Sequence, residues 1–246
     1  MEFIICIYYN MPKKYCTKCG EGFRRINNLR SHENICIKNS DNYFNFIHIP
    51  KNGGTSIKLI CKNYDNLIYN GHNTDVFSYN LKNQIVIVRD PIDRFESAVY
   101  YSLEKYNNEP VNKYLLDKEI DTPNKWIDIL RNDKHCEHNT LLKLITNISH
   151  NIGMRKPKYK WTFCPQSEYI RNPKYVCLFE NLNKEISYIL KKVMGIDIKI
   201  KITNKTIKKN RSEISDSNIE WLKEIYKEDF KIYNKYKILS IDKRIN

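Results

Sequence analysis

Short apolar runs alternate with helical patterns along most of this chain. Four runs have the length and composition of β-strands, at residues 44–49, 67–69, 85–88 and 175–179. Helical periodicity is found between and after them, at residues 54–63, 126–130, 139–145, 186–193 and 217–236. This alternation predicts an α/β fold in which a parallel sheet carries helices on both faces.

A glycine turn separates the first predicted strand from the first predicted helix. Gly53 and Gly54 are adjacent there, and paired glycines let the backbone bend and approach a ligand closely. Lys51 precedes them, and a helix N-terminus with a lysine beside it is a typical phosphate site. The order differs from that of the Walker loop, in which the lysine follows the glycines. The alternative is an ordinary strand-to-helix turn.

A second strand-to-helix junction follows the run at 85–88. Asp90 and Pro91 predict a helix start there, with an aspartate cap and a proline at the first helical position. Arg89 lies at the end of its strand, on the side of the sheet where open α/β folds bind ligands, and its guanidinium group suits a phosphate. A salt bridge from Arg89 to Asp90 or Asp93 is the structural alternative.

Composition limits the class of protein. The chain has 246 residues, 41% of them hydrophobic, which suits one ordinary domain with a core plus a small module. Its formal net charge of +14 predicts anionic partners: nucleic acid, a phosphorylated cofactor or an acidic glycan. Residues 3–9 are apolar but short, and no apolar run reaches the length of a membrane span. We therefore expect no membrane association and a cytoplasmic location.

Cysteine and histidine near the N-terminus have metal-ligand spacing. The pattern resembles a C2H2-type zinc finger in which the last histidine is replaced by cysteine, and Phe23 and Leu29 match its small core. The predicted ligands of Zn²⁺ are Cys16, Cys19, His32 and Cys36. A finger of this kind has a ββα fold. Because a single one contacts about three base pairs and would read nucleic acid weakly alone, protein docking or a purely structural role is at least as good an interpretation as nucleic-acid binding.

Two segments carry a resemblance to a known family. Residues 48–56 (His-Ile-Pro-Lys-Asn-Gly-Gly-Thr-Ser) resemble the 5′-phosphosulfate loop of the Golgi-type carbohydrate sulfotransferases. Residues 85–98, which contain Arg89-Asp90-Pro91, Arg94 and Ser97, resemble their 3′-phosphate motif. Gly71 and His72 lie between the two motifs, as in that family, and residues 163–167 and 178–182 also match its order. The resemblance extends over roughly residues 42 to 236.

The resemblance implies a fold, a reaction and a set of site residues. The fold would be a P-loop-NTPase-like parallel sheet flanked by helices, with a leader at 1–13, the finger at 14–38 and a sulfotransferase domain at 42–246. The donor would be 3′-phosphoadenosine 5′-phosphosulfate, and the acceptor a hydroxyl group of a carbohydrate. The positive charge of the chain favours an acidic glycan. The implied donor-binding residues are Lys51, Asn52, Gly53, Gly54, Thr55, Ser56, Arg89 and Ser97. The implied catalytic residues are Lys51, which would stabilise the leaving group, and His72, the general base.

Other residues offer alternatives to these roles. His48 is interpreted as a hydrogen-bonded residue of the core, and Asp75 or Glu180 would be the base if His72 is not. Glu180 is otherwise expected to pair with a nearby cation. His135 and His138 flank Cys136, which is a weaker indication of a second metal site.

Two further functions are considered for the whole chain. In the first, the finger and the basic surface bind nucleic acid, and the α/β domain is an inactive scaffold. In the second, the glycine turn binds a nucleoside triphosphate, as in kinases, but the lysine position and the lack of a clear acidic partner for Mg²⁺ argue against it.

Overall fold

A four-stranded parallel sheet forms the centre of the fold. The computed structural model describes residues 14–15, 22–23, 43–70, 82–105, 110–145, 162–170, 173–198 and 214–245. The strands are β1 (Lys14–Tyr15), β2 (Gly22–Phe23), β3 (Phe44–Ile47), β4 (Leu67–Asn70), β5 (Gln84–Val88) and β6 (Tyr175–Leu178). The sheet has the order β4-β3-β5-β6, and every neighbouring pair in it is parallel. The predicted α/β class and all four predicted strands are thus confirmed.

Helices cover both faces of this sheet. They are α1 (Gly54–Cys61), α2 (Pro91–Lys105), α3 (Pro110–Asp117), α4 (Pro123–Arg131), α5 (His138–Ile145), α6 (Leu182–Met194), α7 (Asp216–Ile225) and α8 (Lys227–Lys237). Ile85 and Ile87 point to the face covered by α1 and α6, whereas Val86 and Val88 point to the face covered by α8. Both sets are buried, which explains why this strand is apolar on both faces.

A second core lies between the helices beside the sheet. Trp126 of α4 is completely buried, stacks on Phe163 with the ring centroids 6.0 Å apart, and donates its indole N–H to the carbonyl of Ile120. Phe95 of α2 packs on the other side of Phe163. This core fixes α2, which carries the second nucleotide motif, against α4 and the segment at 162–164.

The predicted helix at 217–236 is wrong as a single element. The structure has two helices there, and Tyr226 separates them with φ −105° and ψ 26°. Its hydroxyl donates to the carbonyl of Phe163, so the buried ring is held by the second core rather than by a straight helical stripe. Ile225, at the end of α7, is 44% exposed as a result.

The N-terminal module falls almost entirely outside the described residues. Only β1 and β2 are described there, and they pair in antiparallel fashion, with Lys14 opposite Phe23. All four predicted zinc ligands lie outside the described ranges. Within those ranges, no cluster of three histidine, cysteine or acidic side chains is arranged to hold a metal, and this includes His135, Cys136 and His138. Nor does that part of the chain contain a helix that is long and apolar enough to cross a bilayer.

The chain connections single out one position along the carboxyl edge of the sheet. From β3 the chain passes through α1 to β4 on one side, whereas from β5 it passes through α2 and later helices to β6 on the other side. Neighbouring parallel strands whose connections diverge in this way leave a crevice at their carboxyl ends, where open α/β folds bind ligands. Both predicted nucleotide motifs follow these two strands.

Candidate functional site

The glycine turn after β3 presents backbone donors at the start of α1. None of the described residues accepts a hydrogen bond from the N–H groups of Gly53, Gly54 or Thr55. Lys51 and Gly53 have positive φ values of 68° and 78°, which fold the chain back sharply before the helix begins. Three adjacent N–H groups at a helix N-terminus form a site for an anion.

Gly54 is required by its contact with a histidine ring. A β-carbon at this position would lie 1.8 Å from Cδ2 and 1.9 Å from Nε2 of His48. The ring cannot move away easily, because it is 8% exposed and its Nδ1 is hydrogen-bonded to the hydroxyl of Tyr69 on β4. Burial raises the pKa of Tyr69 to about 12, so the phenol that shares this hydrogen bond stays protonated. The interpretation of His48 as a hydrogen-bonded core residue is confirmed.

Lys51 lies at the bend of the turn in an electropositive environment. Its ammonium is 3.8 Å from the ring centroid of Tyr101 on α2. Desolvation is the main cause that lowers the pKa of Lys51 from 10.5 to about 8; the charge of Arg89 and that of Arg94 act in the same direction, and Glu104 opposes them. An ammonium held in this way is poised to receive negative charge.

For a reaction in which Lys51 stabilises developing negative charge, we expect kcat/KM to fall by about tenfold per pH unit above pH 8. The free enzyme then needs Lys51 protonated, and the pKa of Lys51 is lowered to about 8. A pH–rate profile at subsaturating donor measures this limb. In Lys51→Arg the residual activity should lack it, because a guanidinium stays protonated. If the limb persisted in Lys51→Arg, it would belong to another group.

Arg89 brings the second motif to the same turn. Its Nη1 donates to the carbonyl of Lys51 at 2.8 Å, and its guanidinium lies 4.2 Å from the ring centroid of Phe179, which follows β6. The two residues that sequence analysis selected, Lys51 and Arg89, therefore share one edge of the sheet, and the side chain of Arg89 is bonded to the backbone of Lys51. Arg89 is 7% exposed, so the bonded carbonyl and the aromatic ring hold its guanidinium in place.

The start of α2 is capped as predicted. Asp90 accepts hydrogen bonds from the N–H groups of Ile92 and Asp93, and Pro91 is the first helical residue. Ser97 lies two turns further along the helix and is buried. Glu180, which was expected to pair with a cation, instead accepts a hydrogen bond from the N–H of Asp90 at 3.0 Å and interacts with the phenol of Tyr233. It ties the end of β6 to the start of α2.

Asn52 has a buried role that sequence analysis did not foresee. Its Nδ2 donates to the carbonyl of Ile87 at 2.6 Å and to Oε1 of Gln166 at 2.9 Å, and the residue is 1% exposed. The amide side chain thus joins the glycine turn to β5 and to the segment at 162–168. Its part in donor binding stays a prediction.

Two further buried residues support the turn and were also missed. Arg94 donates to the carbonyls of Pro50, Thr162 and Cys164, and Asp229 of α8 accepts the N–H groups of Gln166 and Ser167 at 2.8 Å each. The two side chains form a fully buried ion pair with 3.9 Å between nitrogen and oxygen. Arginine spacing within the second motif was the only sequence signal, because the partners are far apart along the chain.

The predicted base, His72, lies outside the described residues. Asn70 ends β4, which is parallel to β3 and therefore opens at the same edge of the sheet as the glycine turn. Residue 72 follows two positions later in the sequence. Its role stays a prediction, as does that of Asp75.

Comparison with known proteins agrees with the geometry. A family model described as Sulfotransferase family matches residues 6–237 of the chain. The matched range contains the whole sheet and both loops, and also the stretch predicted to form the finger. No curated protein and no solved structure matches the chain.

Proposed function

Because this chain belongs to the sulfotransferase family, we propose that it transfers a sulfuryl group from 3′-phosphoadenosine 5′-phosphosulfate to a hydroxyl group of a carbohydrate. One observation carries the proposal: Lys51 and Arg89 meet at the carboxyl edge of β3 and β5, with 2.8 Å between Nη1 of Arg89 and the carbonyl of Lys51. A donor with phosphate groups on the 5′ and 3′ positions of its ribose needs two cationic sites in one cleft.

The turn after β3 supplies the features that a 5′-phosphosulfate requires. The N–H groups of Gly53, Gly54 and Thr55, from which no described backbone carbonyl accepts a hydrogen bond, would bind the 5′-phosphate. The hydroxyls of Thr55 and Ser56 would assist them. Arg89, with Ser97 nearby on α2, would bind the 3′-phosphate through its guanidinium fork.

The chemistry is an in-line displacement at sulfur. The acceptor oxygen forms a new bond to sulfur while the bond from sulfur to the bridging phosphate oxygen breaks, and adenosine 3′,5′-bisphosphate leaves with the electron pair of that bond. Lys51 stabilises the negative charge that grows on the leaving oxygen. His72 takes the proton of the acceptor hydroxyl, for which an imidazole is suited near neutral pH.

A negatively charged glycan is the acceptor class that the charge favours. The chain carries a formal net charge of +14, and electropositive surfaces raise the local concentration of acidic polymers. The basic aromatic segment at residues 156–161 is the proposed acceptor-facing loop, although it lies outside the described residues.

We also propose that residues 14–38 form a zinc finger. The observation in its favour is the antiparallel pair of β1 and β2, which encloses residues 16 to 21 and with them Cys16 and Cys19. Such a hairpin knuckle is where the first two ligands of a C2H2-type finger lie. The zinc content of the purified protein, compared with that of Cys19→Ser, tests this proposal.

Direct transfer assays test the proposed reaction. The purified protein is incubated with radiolabelled donor and separate acceptors: an acidic glycan, a neutral glycan, a tyrosine peptide and a nucleic acid. We expect label in the acidic glycan, and a rise in Tm with adenosine 3′,5′-bisphosphate. No label in any acceptor together with an unchanged Tm would reject the enzyme and leave an inactive scaffold. Salt-dependent binding of the nucleic acid without transfer would then favour the finger as the functional part.

For His72→Ala we expect kcat to fall by about 10²- to 10⁴-fold, the usual contribution of a general base. Binding of adenosine 3′,5′-bisphosphate should stay unchanged, because the base does not contact the nucleotide. His135→Ala is the matched control, since His135 lies in the turn before α5 and accepts the N–H of Glu137. Normal turnover by His72→Ala would mean that His72 is not the general base, and Asp75 or Glu180 would then be the candidates.

A further inference from the structure

Gln166 lies between the two loops that sequence analysis assigned to the nucleotide. It is 0% exposed. Its Oε1 accepts the Nδ2 group of Asn52 at 2.9 Å and the N–H of Arg89 at 3.1 Å, and its Nε2 donates to the carbonyl of Arg89 at 2.8 Å. The side-chain amide of Gln166 therefore bonds both the N–H and the carbonyl of Arg89. It also bonds the side chain of Asn52 in the glycine turn.

The backbone of Gln166 is held in place by a second set of contacts. The N–H of Gln166 donates to Asp229 of α8, and the same carboxylate faces Arg94, which donates to the carbonyl of Pro50 at the start of the glycine turn. The chain of contacts thus closes into a ring that includes both loops. Since every side chain in the ring is buried and bonded, the ring has little freedom to change its dimensions.

We propose that Gln166 is a positioning residue that sets the separation between the 5′-phosphate and 3′-phosphate sites. The inference rests on the proposed function, because it assumes that the glycine turn binds the 5′-phosphate and Arg89 the 3′-phosphate of one nucleotide. A ligand that spans two sites binds well only when their spacing matches its own length. Contacts that fix the spacing therefore raise the affinity for a ligand that occupies both sites, and they leave the affinity for a ligand that occupies one site nearly unchanged.

The expected signature is therefore a change in preference and not a uniform loss of binding. In the wild type, adenosine 3′,5′-bisphosphate should bind more tightly than adenosine 5′-phosphate or adenosine 3′-phosphate. In Gln166→Met, which keeps the length of the side chain and removes its polar atoms, we expect this preference to fall by about tenfold or more, as displacement of one site by about 1 Å would produce. Affinity for each monophosphate should change less than about threefold.

Calorimetric titration of the full chain with the three nucleotides measures this preference. The matched control is Asn218→Leu, which also removes a buried amide. Asn218 donates to Asn124 and Asp128 and accepts from Arg131, so it joins α7 to α4 away from the two loops. It should lower Tm to a similar degree and leave the preference for the bisphosphate at the wild-type value.

The outcomes distinguish failure of the positioning role of Gln166 from failure of the proposed function. A wild type that does not prefer the bisphosphate has no pair of sites to position, and this rejects both. If the wild type prefers the bisphosphate and Gln166→Met keeps that preference, only the positioning role is rejected. The same conclusion follows if Gln166→Met loses affinity equally for all three nucleotides. If Gln166→Met does not fold, Gln166→Glu decides in the same assay: it keeps the acceptor for Asn52 and replaces the donor to Arg89 with a repelling oxygen, so the preference should again fall.

Discussion

Lys51→Ala should reduce kcat for sulfuryl transfer by about 10²- to 10³-fold, the loss typical when one preorganised group that stabilises developing charge is removed. The ammonium belongs to a residue of the glycine turn itself, and burial together with Arg89 and Arg94 already lowers its pKa to about 8. Removing it should not unfold the protein, because the lysine bears a desolvation cost in the native state. Single-turnover kinetics at saturating donor, with Tm as the check on folding, measure the effect.

Lys62→Ala is the control for this variant. Lys62 follows α1 and is exposed, so its removal changes the charge of the chain equally without touching the crevice. We expect a change in kcat of less than about twofold, as for other exposed charges. If Lys51→Ala kept more than a tenth of the wild-type kcat, the leaving group would have to be stabilised by the backbone N–H groups alone.

Gly54→Ala should abolish nucleotide binding, with a loss of about 10²-fold or more in affinity for adenosine 3′,5′-bisphosphate. The added β-carbon would lie 1.8 Å from the ring of His48, and the hydrogen bond between that ring and Tyr69 holds it in place. The start of α1 must then shift, and the three N–H groups shift with it. We expect a loss of stability of about 1 to 3 kcal/mol as well, the usual cost of overpacking. Equilibrium binding and urea unfolding measure the two effects separately.

Two companion variants identify the cause. In the double variant His48→Ala/Gly54→Ala the ring is absent, so part of the nucleotide affinity should return. Gly195→Ala is the control, because Gly195 also has a positive φ, of 68°, but a β-carbon there meets nothing within 4 Å. It should cost stability through backbone strain and leave binding intact. Failure of the double variant to recover any affinity would mean that the contact with His48 is not what makes glycine necessary.

The sheet and the two loops could be predicted because their signals are local. Strands buried on both faces appear as unbroken apolar runs, and Asp90-Pro91 marks a helix start through the chemistry of two adjacent residues. The glycine turn was recognisable for the same reason. These signals place Lys51 and Arg89 at strand ends, and a parallel sheet then brings the ends together without any further information.

Nothing local in the sequence showed that the residues that support the site are buried and bonded. Gln166, Arg94 and Asp229 are polar positions whose partners at the site lie 44 or more residues away, as in the bond from Arg94 to the carbonyl of Pro50. A buried amide and a surface amide look alike in a sequence, and burial is decided by which segments pack together. The break at Tyr226 was missed for a related reason, since the helical stripe continues through it and only the contact with Phe163 reveals the change of direction.

The ion pair between Arg94 and Asp229 has a consequence for the order in which the molecule is assembled during synthesis. Both loops emerge from the ribosome early, yet the carboxylate that completes their support belongs to residue 229 of the chain. At about 5 to 20 residues per second, the helix that carries Asp229 is synthesised about 9 to 35 seconds after the first strand and its glycine turn. Until then the nascent chain has its motifs without the geometry that makes them a site.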